Sequence, residues 1–221
     1  MKEYLRVTDK QPQTDHMYTY AERYRQKIWS CRGARFVASR RLYSKNYASQ
    51  LVLSFFSLMV IATGIALLVL PSDYKTLAKF FSVLSIDASV FILVLSNLEF
   101  AKNYAVHADR MFKGAQALSP LHDEIEKSIY CKTLTQDNIV SYIKEYNKIL
   151  NEFEVNHEEI DYLYFQATNP DHFHLTKGKR LYLKIRLFSY IWSLYIFCIV
   201  VPPVLIGLIM YGLPLVSHLL K

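Results

Sequence analysis

The sequence contains little cysteine, glycine or proline. Its 221 residues include three cysteines, six glycines and seven prolines. Cys31, Cys131 and Cys198 lie far apart and are odd in number. A disulfide framework needs an even, closely spaced set, and a zinc site needs clustered ligands, so we expect neither. The three cysteines are interpreted as isolated thiols.

The sequence also lacks the short motifs that mark catalytic sites. It has no Gly-rich phosphate loop, no nucleophile elbow and no metalloprotease motif. His172 and His174 form an HFH pair without a third ligand nearby, while His107, His122 and His157 are dispersed. We therefore predict no enzymatic activity, no catalytic residues, no metal site and no cofactor.

Charged residues are missing from three long runs. Residues 51–70 and 187–220, runs of 20 and 34 residues, contain no Asp, Glu, Lys or Arg. Residues 80–98, a run of 19, contain Asp87 as their single charge. A helix of ~20 apolar residues crosses the ~30 Å hydrocarbon core of a bilayer. The chain is therefore predicted to be an all-α, multi-pass membrane protein whose first partner is the lipid bilayer.

Basic residues predict the orientation of these runs. Residues 1–50 hold eleven Lys or Arg against four Asp or Glu and show no cleavable signal, so the first run is expected to act as its own insertion signal. Since basic flanks stay in the cytosol, we place the N-terminus and the middle region inside and the short loop outside. The basic flanks fit anionic lipid headgroups better than nucleic acid, which is not expected to bind.

The third run is longer than one bilayer crossing requires, at ~1.5 Å per helical residue. Pro202-Pro203 divides it, so we predict one kinked span, with two short spans or a re-entrant hairpin as alternatives. The predicted parts are a basic cytosolic helix (1–49), an antiparallel transmembrane hairpin (50–103, spans about 51–70 and 80–98), a cytosolic helical region (104–186) and a C-terminal hydrophobic segment (187–221).

A stripe of small or polar residues follows one face of each hairpin helix. Small residues let membrane helices approach closely, and polar side chains can bond across the contact. The two stripes come into register in an antiparallel pair, which predicts a Gln50–Glu99 bond at its inner mouth. The predicted packing residues are Gln50, Ser54, Ser57 and Gly64 on the first span and Ser82, Ser85, Ser89, Ser96 and Glu99 on the second.

Asp87 lies away from this stripe, on a helical face shared with Val90, Phe91 and Val94. A carboxylate near mid-span costs roughly 2.5–3.5 kcal/mol on insertion scales. Three interpretations stay open. Asp87 lines a pore between several hairpins, or bonds a polar group of the third span or of a neighbour, or lies shallow near the outer headgroups.

Helical patterning continues outside the membrane runs. Asp15 is the predicted start of the first helix, and the second span is expected to continue unbroken until Pro120, pairing His107 with Tyr43. A short helix should follow Pro120, and a further helix should begin after a cap at Thr135. The helical extensions of the first and second spans are expected to project together into the cytosol as a coiled pair.

The helix after Thr135 carries apolar residues along one face and charge on the other. This face either packs inside a small helical bundle or docks a separate activating protein. Its residues are Ile139, Tyr142, Tyr146, Ile149 and Phe153.

The order of these parts resembles a known family. A basic helix containing GARFVASRRLYSKNYASQ enters a two-span hairpin that continues into NLEFAKNYAVHADRMFKGAQALSPLHDEIEK. Residues 34–153 are thereby similar to the SLATT domain, a membrane effector module of bacterial conflict systems. The resemblance implies a bacterial inner-membrane protein. It also implies a protein that forms a pore or depolarises the membrane when a separately encoded sensor is triggered, such as a nucleotide-signal synthase or a reverse transcriptase. The pore interpretation of Asp87 adds the expectation of a homo-oligomer.

Two functional hypotheses follow. The first is an effector of antiphage defence that forms a pore, with Asp87 facing the water-filled path. The alternative is a non-conducting membrane scaffold that recruits a cytosolic partner through its helical region.

Overall fold

A computed structural model describes residues 11–69, 71 and 74–219, with side chains from residue 16 onward except at 77, 202, 203 and 205–219. The described residues are almost entirely helical and contain no strand. Three helical stretches among them are long and apolar enough to cross a membrane, which confirms the prediction of an all-α membrane protein. The helices are α1 (Gln11–Val69), α2 (Lys75–Lys102), α3 (Tyr104–Tyr130), α4 (Gln136–Phe153), α5 (Glu159–Thr168), α6 (Pro170–Phe173) and α7 (Lys177–Leu219).

The described residues divide into two compact units. Residues 11–42 and 105–187 form the first, which we call the bundle unit. Residues 43–104 and 188–219 form the second, which we call the apolar unit. Helices α1 and α7 contribute to both units. The predicted pairing of Tyr43 with His107 joins residues of different units and stays a prediction.

The junction of α2 and α3 corrects the prediction of one continuous helix. Asn103 has a left-handed backbone conformation with φ of 46°, and its amide donates a hydrogen bond to the Phe100 carbonyl at 3.2 Å. Asn adopts this conformation more readily than most residues because its short polar side chain can hydrogen-bond locally. The chain therefore leaves the helix at Asn103 and begins a new one at Tyr104.

Two predicted helix boundaries are also wrong. Helix α1 begins at Gln11, so Asp15 lies inside the helix instead of capping it; the Asp15 side chain lies outside the described residues. Helix α3 runs through Pro120 to Tyr130. Pro120 and Gln116 both lie on the exposed side of α3, where water can bond the Gln116 carbonyl that Pro120 leaves without an amide donor.

The predicted cap of α4 is confirmed by two hydrogen bonds. The Asn138 amide donates to Thr135 Oγ1 at 3.2 Å, and the Thr135 amide donates to Asn138 Oδ1 at 3.1 Å. This reciprocal pairing satisfies two amides that have no partner within the helix. The apolar face of α4 packs against α1 and α3. The buried core residues are Ala21, Ile28, Leu118, Leu121, Ile125, Leu134, Tyr142, Tyr146 and Ile149.

The docking interpretation of the α4 face is wrong in this fold. Tyr142, Tyr146 and Ile149 are buried in the core, and Ile139 and Phe153 pack against it. The face that could have received a separate protein is already covered by the chain's own helices. The packing interpretation of the same five residues is therefore the correct one.

A buried ion pair joins α1 to α5 in the bundle unit. The Arg41 guanidinium donates to both carboxylate oxygens of Asp161, at 2.7 and 3.0 Å, and lies 2.9 Å from a Glu158 oxygen. Asp161 is completely buried and the Arg41 side chain is 3% exposed. Asp161 also accepts a hydrogen bond from the Glu158 amide at 2.9 Å. Removing one partner would therefore leave a charge without its counter-ion in a low-dielectric interior.

We expect Asp161→Asn to lower the free energy of unfolding by about 3 kcal/mol, because Arg41 stays buried and loses the carboxylate that accepts two of its hydrogen bonds. Chemical denaturation of the purified full chain in detergent measures this loss. The control is Glu145→Gln, which breaks an exposed pair with Lys148 and should cost at most about 1 kcal/mol. Equal stability of the two variants would contradict the assignment of Arg41–Asp161 as a structural pair.

Close packing in the bundle unit requires glycine at residue 33. A Cβ atom at Gly33 would overlap the ring of Phe165. Phe165 cannot retreat easily because its ring contacts those of Trp29, at 4.8 Å between centroids, and Phe173, at 6.1 Å. Gly33 therefore permits α1 and α5 to approach each other.

Gly33→Ala should destabilise the chain by up to about 2 kcal/mol. Overpacking costs about 1–3 kcal/mol, and the higher helix propensity of alanine offsets about 1 kcal/mol of that. Gly178→Ala is the matched control, since no atom lies within 4 Å of a Cβ at Gly178 and its stability should be unchanged or slightly higher. Thermal melting of the two variants in detergent measures the difference, and a Gly33→Ala chain as stable as the control would be incompatible with this packing.

Helix α7 continues through the predicted kink. Its backbone is helical from Lys177 to Leu219, including residues 202 and 203, whose side chains lie outside the described residues. A single membrane crossing therefore stays the prediction for residues 187–219, while Leu220 and Lys221 lie outside the described residues.

Candidate functional site in the membrane-spanning helices

Large apolar side chains hold the apolar unit together. Val52 and Phe56 of α1 are buried beside Tyr195 of α7, and Ile92 and Leu95 of α2 pack against them. The Phe56 and Phe91 rings lie 5.0 Å apart between centroids, which places the two spans side by side. Bulky side chains make more dispersion contacts than serine, so this face outcompetes the small polar one as the packing surface.

The predicted small-residue contact between α1 and α2 is wrong for most of its members. Gln50, Ser54, Ser57 and Gly64 are exposed on α1, and no atom lies within 4 Å of a Cβ placed on Gly64. On α2, Ser82 and Ser89 are exposed, whereas Ser85, Ser96 and Glu99 are half-buried. The observed contact face of α1 is therefore rotated away from the predicted stripe, whereas that of α2 overlaps the stripe in part.

The serine hydroxyls explain why the stripe does not need a partner helix. Ser57 donates to the Leu53 carbonyl at 2.8 Å, Ser82 to the Ala78 carbonyl at 2.9 Å and Ser89 to the Ser85 carbonyl at 2.8 Å. A serine that bonds the preceding turn of its own helix is already satisfied. Its hydroxyl therefore supplies no force that would turn this face inward.

Glu99 does not form the predicted bond with Gln50. Its Oε1 accepts from Lys102 Nζ at 3.2 Å, and its other oxygen is buried without a hydrogen-bond partner among the described residues. Only 7% of the Glu99 side chain is exposed. The predicted mouth of the hairpin thus contains a carboxylate, but it pairs within α2.

Asp87 lies on the outward surface of α2. Its side chain is exposed, as are the neighbouring Val83, Val90 and Phe91. No hydrogen bond or ion pair joins Asp87 to any other residue that the structure describes. The interpretation in which Asp87 bonds the third span of its own chain is therefore wrong for the described part of α7. The interpretations with a neighbouring copy, a water path or a shallow position stay open.

Sequence reasoning missed a cluster of lysines and tyrosines in the apolar unit. Lys45 Nζ lies 4.0 Å from the centroid of the Tyr190 ring and 6.0 Å from that of Tyr104, and Lys102 Nζ lies 5.5 Å from Tyr104. Such cation–π contacts suit the ends of membrane spans, where aromatic rings and lysines are enriched. The sequence shows basic and aromatic residues at these span ends, but only the fold shows which of them contact each other.

Comparison with known families decides what kind of chain carries these helices. Residues 17–209 match the family model described as SMODS and SLOG-associating 2TM effector domain family 5. This chain belongs to that family. Neither the curated proteins nor the solved structures that were searched gave a match.

The family assignment confirms the resemblance to the SLATT domain and widens it. The match runs from α1 into α7, beyond the residues 34–153 on which the resemblance depended. The SLATT family consists of two-span effector domains associated with conflict systems. In this member the matched region also contains a third helical stretch, Lys177–Val201, that is long and apolar enough to cross a membrane.

A pair of cysteines should distinguish the observed hairpin contact from the predicted one. With the native cysteines replaced by serine, Phe56→Cys with Phe91→Cys should be joined by a short bifunctional thiol reagent in membranes, because these two side chains contact each other. Ser54→Cys with Ser96→Cys, the matched control from the stripe, should not. Protease cleavage between the spans followed by non-reducing electrophoresis measures both. The reverse pattern of cross-links would restore the small-residue contact and overturn the apolar one.

Proposed function

We propose that this SLATT domain is an effector of bacterial antiphage defence that oligomerises in the inner membrane and dissipates the membrane potential. The observation that carries the proposal is the exposed, unpartnered carboxylate of Asp87 in a membrane-length helix. Family membership supports the role of effector, since the family is described as an effector domain.

The surroundings of Asp87 make its carboxylate energetically costly in lipid. A carboxylate in the hydrocarbon core costs roughly 2.5–3.5 kcal/mol on insertion scales. The described residues of the chain offer no cation or donor to offset that cost. A second copy of the chain or a water-filled path between copies would remove the carboxylate from lipid. In either case the α2 surface around Asp87 becomes an interface or a pore lining.

Exposed small residues support assembly of several copies. Ser82 and Ser89 are exposed on α2, on a face that points away from Asp87, and Ser57 and Gly64 are exposed on α1. Small residues permit close approach of membrane helices. Because this chain's own hairpin does not use them, they are available for contacts between copies. Homo-oligomerisation is thus part of the proposal.

The remaining parts of the proposal follow from charge and family. Basic flanks place the N-terminus in the cytosol under the positive-inside rule. A separately encoded sensor, such as a nucleotide-signal synthase or a reverse transcriptase, would trigger the effector, in keeping with a family described as SMODS- and SLOG-associating. The effector would act on the bilayer without catalysis and without nucleic-acid binding. The scaffold alternative loses its motive, because the α4 face on which it depended is buried.

Replacing Asp87 tests this function directly. Asp87→Leu should insert as well as the wild type or better, since it removes a cost of roughly 2.5–3.5 kcal/mol. In bacteria that express the chain with its neighbouring genes, it should abolish the fall in membrane potential after phage challenge. Asp87→Glu should retain that fall because it keeps the carboxylate.

The matched control is Glu124→Gln, which neutralises an exposed carboxylate of the bundle unit and should leave depolarisation unchanged. A potential-sensitive dye reports the outcome. Depolarisation by Asp87→Leu equal to that of the wild type, or defence without any change of potential, would contradict the proposal.

A further inference from the structure

An open cleft lies within the bundle unit between α1, α4 and the α5–α6 region. Its volume is about 620 Å³, inside the range of about 300–1,000 Å³ that small-molecule sites occupy. We propose that this cleft binds an anion that carries a flat ring, the chemistry of a nucleoside phosphate. This inference goes beyond the proposed function and does not depend on Asp87.

Two cations of α1 give the cleft its charge. Arg23 and Lys27, one helical turn apart, both line it, and none of the described lining residues is acidic. Their neighbours on α1 are different, since Arg25 binds Glu22 at 2.6 Å and Glu126 at 3.2 Å. No ion pair joins Arg23 or Lys27 to a carboxylate among the described residues. Two cations without counter-ions on one wall suit a ligand with phosphate groups.

Aromatic side chains supply the other walls. Tyr146, Tyr162 and Phe173 line the cleft, and the rings of Tyr162 and Phe173 lie 6.2 Å apart edge to face. Lys27 Nζ lies 5.1 Å from the centroid of the Tyr146 ring, so cation and ring are adjacent. A base or similar ring can stack on such a surface, whereas inorganic phosphate and a phospholipid headgroup have no flat ring to place there. The combination therefore selects a nucleoside phosphate over a simple anion.

A histidine without a partner lies at the same cleft. His157 lines it, and its Nδ1 atom is buried without a hydrogen-bond partner among the described residues. Burial lowers the pKa of His157, the Asp161 carboxylate raises it in part, and the Arg35 guanidinium lowers it further. A histidine ring that donates from one nitrogen and accepts at the other adds a polar group to a wall that is otherwise aromatic.

Binding to the full chain in phosphatidylcholine nanodiscs tests the site, with ATP, adenosine and inorganic triphosphate as probes in isothermal titration calorimetry. ATP should bind saturably, and adenosine and triphosphate should each bind about tenfold or more weakly because each lacks one half of the recognition. Arg23→Gln with Lys27→Gln should weaken ATP binding about a hundredfold, and Tyr162→Ala about tenfold.

The control is Lys144→Gln with Lys148→Gln, which removes the same charge from the exposed face of α4 and should leave ATP affinity unchanged. Thermal melting of each variant separates lost binding from lost folding. Three results would overturn the proposal: no saturable ATP binding below millimolar concentration, triphosphate binding as tight as that of ATP, or equal affinity of the cleft and control variants. Since no ion flux is measured, none of these results bears on depolarisation.

Discussion

A carboxylate on the outward surface of a membrane helix is the constraint on which the functional account depends. Asp87 lies in a run of apolar residues, exposed and without a partner among the described residues. Hydrocarbon cannot solvate the charge, and the contact between α1 and α2 beside it is made by the Phe56 and Phe91 rings, which offer no counter-ion. The polarity needed at Asp87 must therefore come from outside the hairpin, and the proposed source is another copy of the chain or a water path.

The bundle unit treats charge in a different way. Arg41 and Asp161 are both buried, and each satisfies the other inside a single chain. Arg25 likewise pairs with Glu22 and Glu126 on the surface of the same unit. Arg23 and Lys27, by contrast, have no carboxylate partner among the described residues and make the cleft that they line a surface suited to an external anion. Each unit thus presents an ionic group that has no partner among the described residues and is suited to an interaction outside the chain.

Features governed by local or compositional rules could be predicted from the sequence. Run length and missing charge gave the membrane helices, and the Thr135 cap with its apolar period gave α4 and its buried face. The hairpin contact could not be predicted in this way, because Ser57 and Ser89 bond carbonyls of their own helices and leave packing to phenylalanine and valine. The break at Asn103 was also missed, because the helical pattern continues on both sides of this single residue and hides the left-handed turn. Pairs distant in sequence, such as Arg41 with Asp161, carry no local signal at all.

The most direct test of the central claim is the water accessibility of the α2 surface around Asp87 in living cells. Val90→Cys, on the exposed face that Asp87 shares, in a chain without its native cysteines but with Asp87 intact, should react with a charged, membrane-impermeant thiol reagent after phage challenge and react little before it. Leu93→Cys, on another exposed face of the same helix, should stay unreactive in both states. A cysteine at 90 that is as unreactive as one at 93 after challenge would mean that this surface faces lipid, and the account of Asp87 would be contradicted.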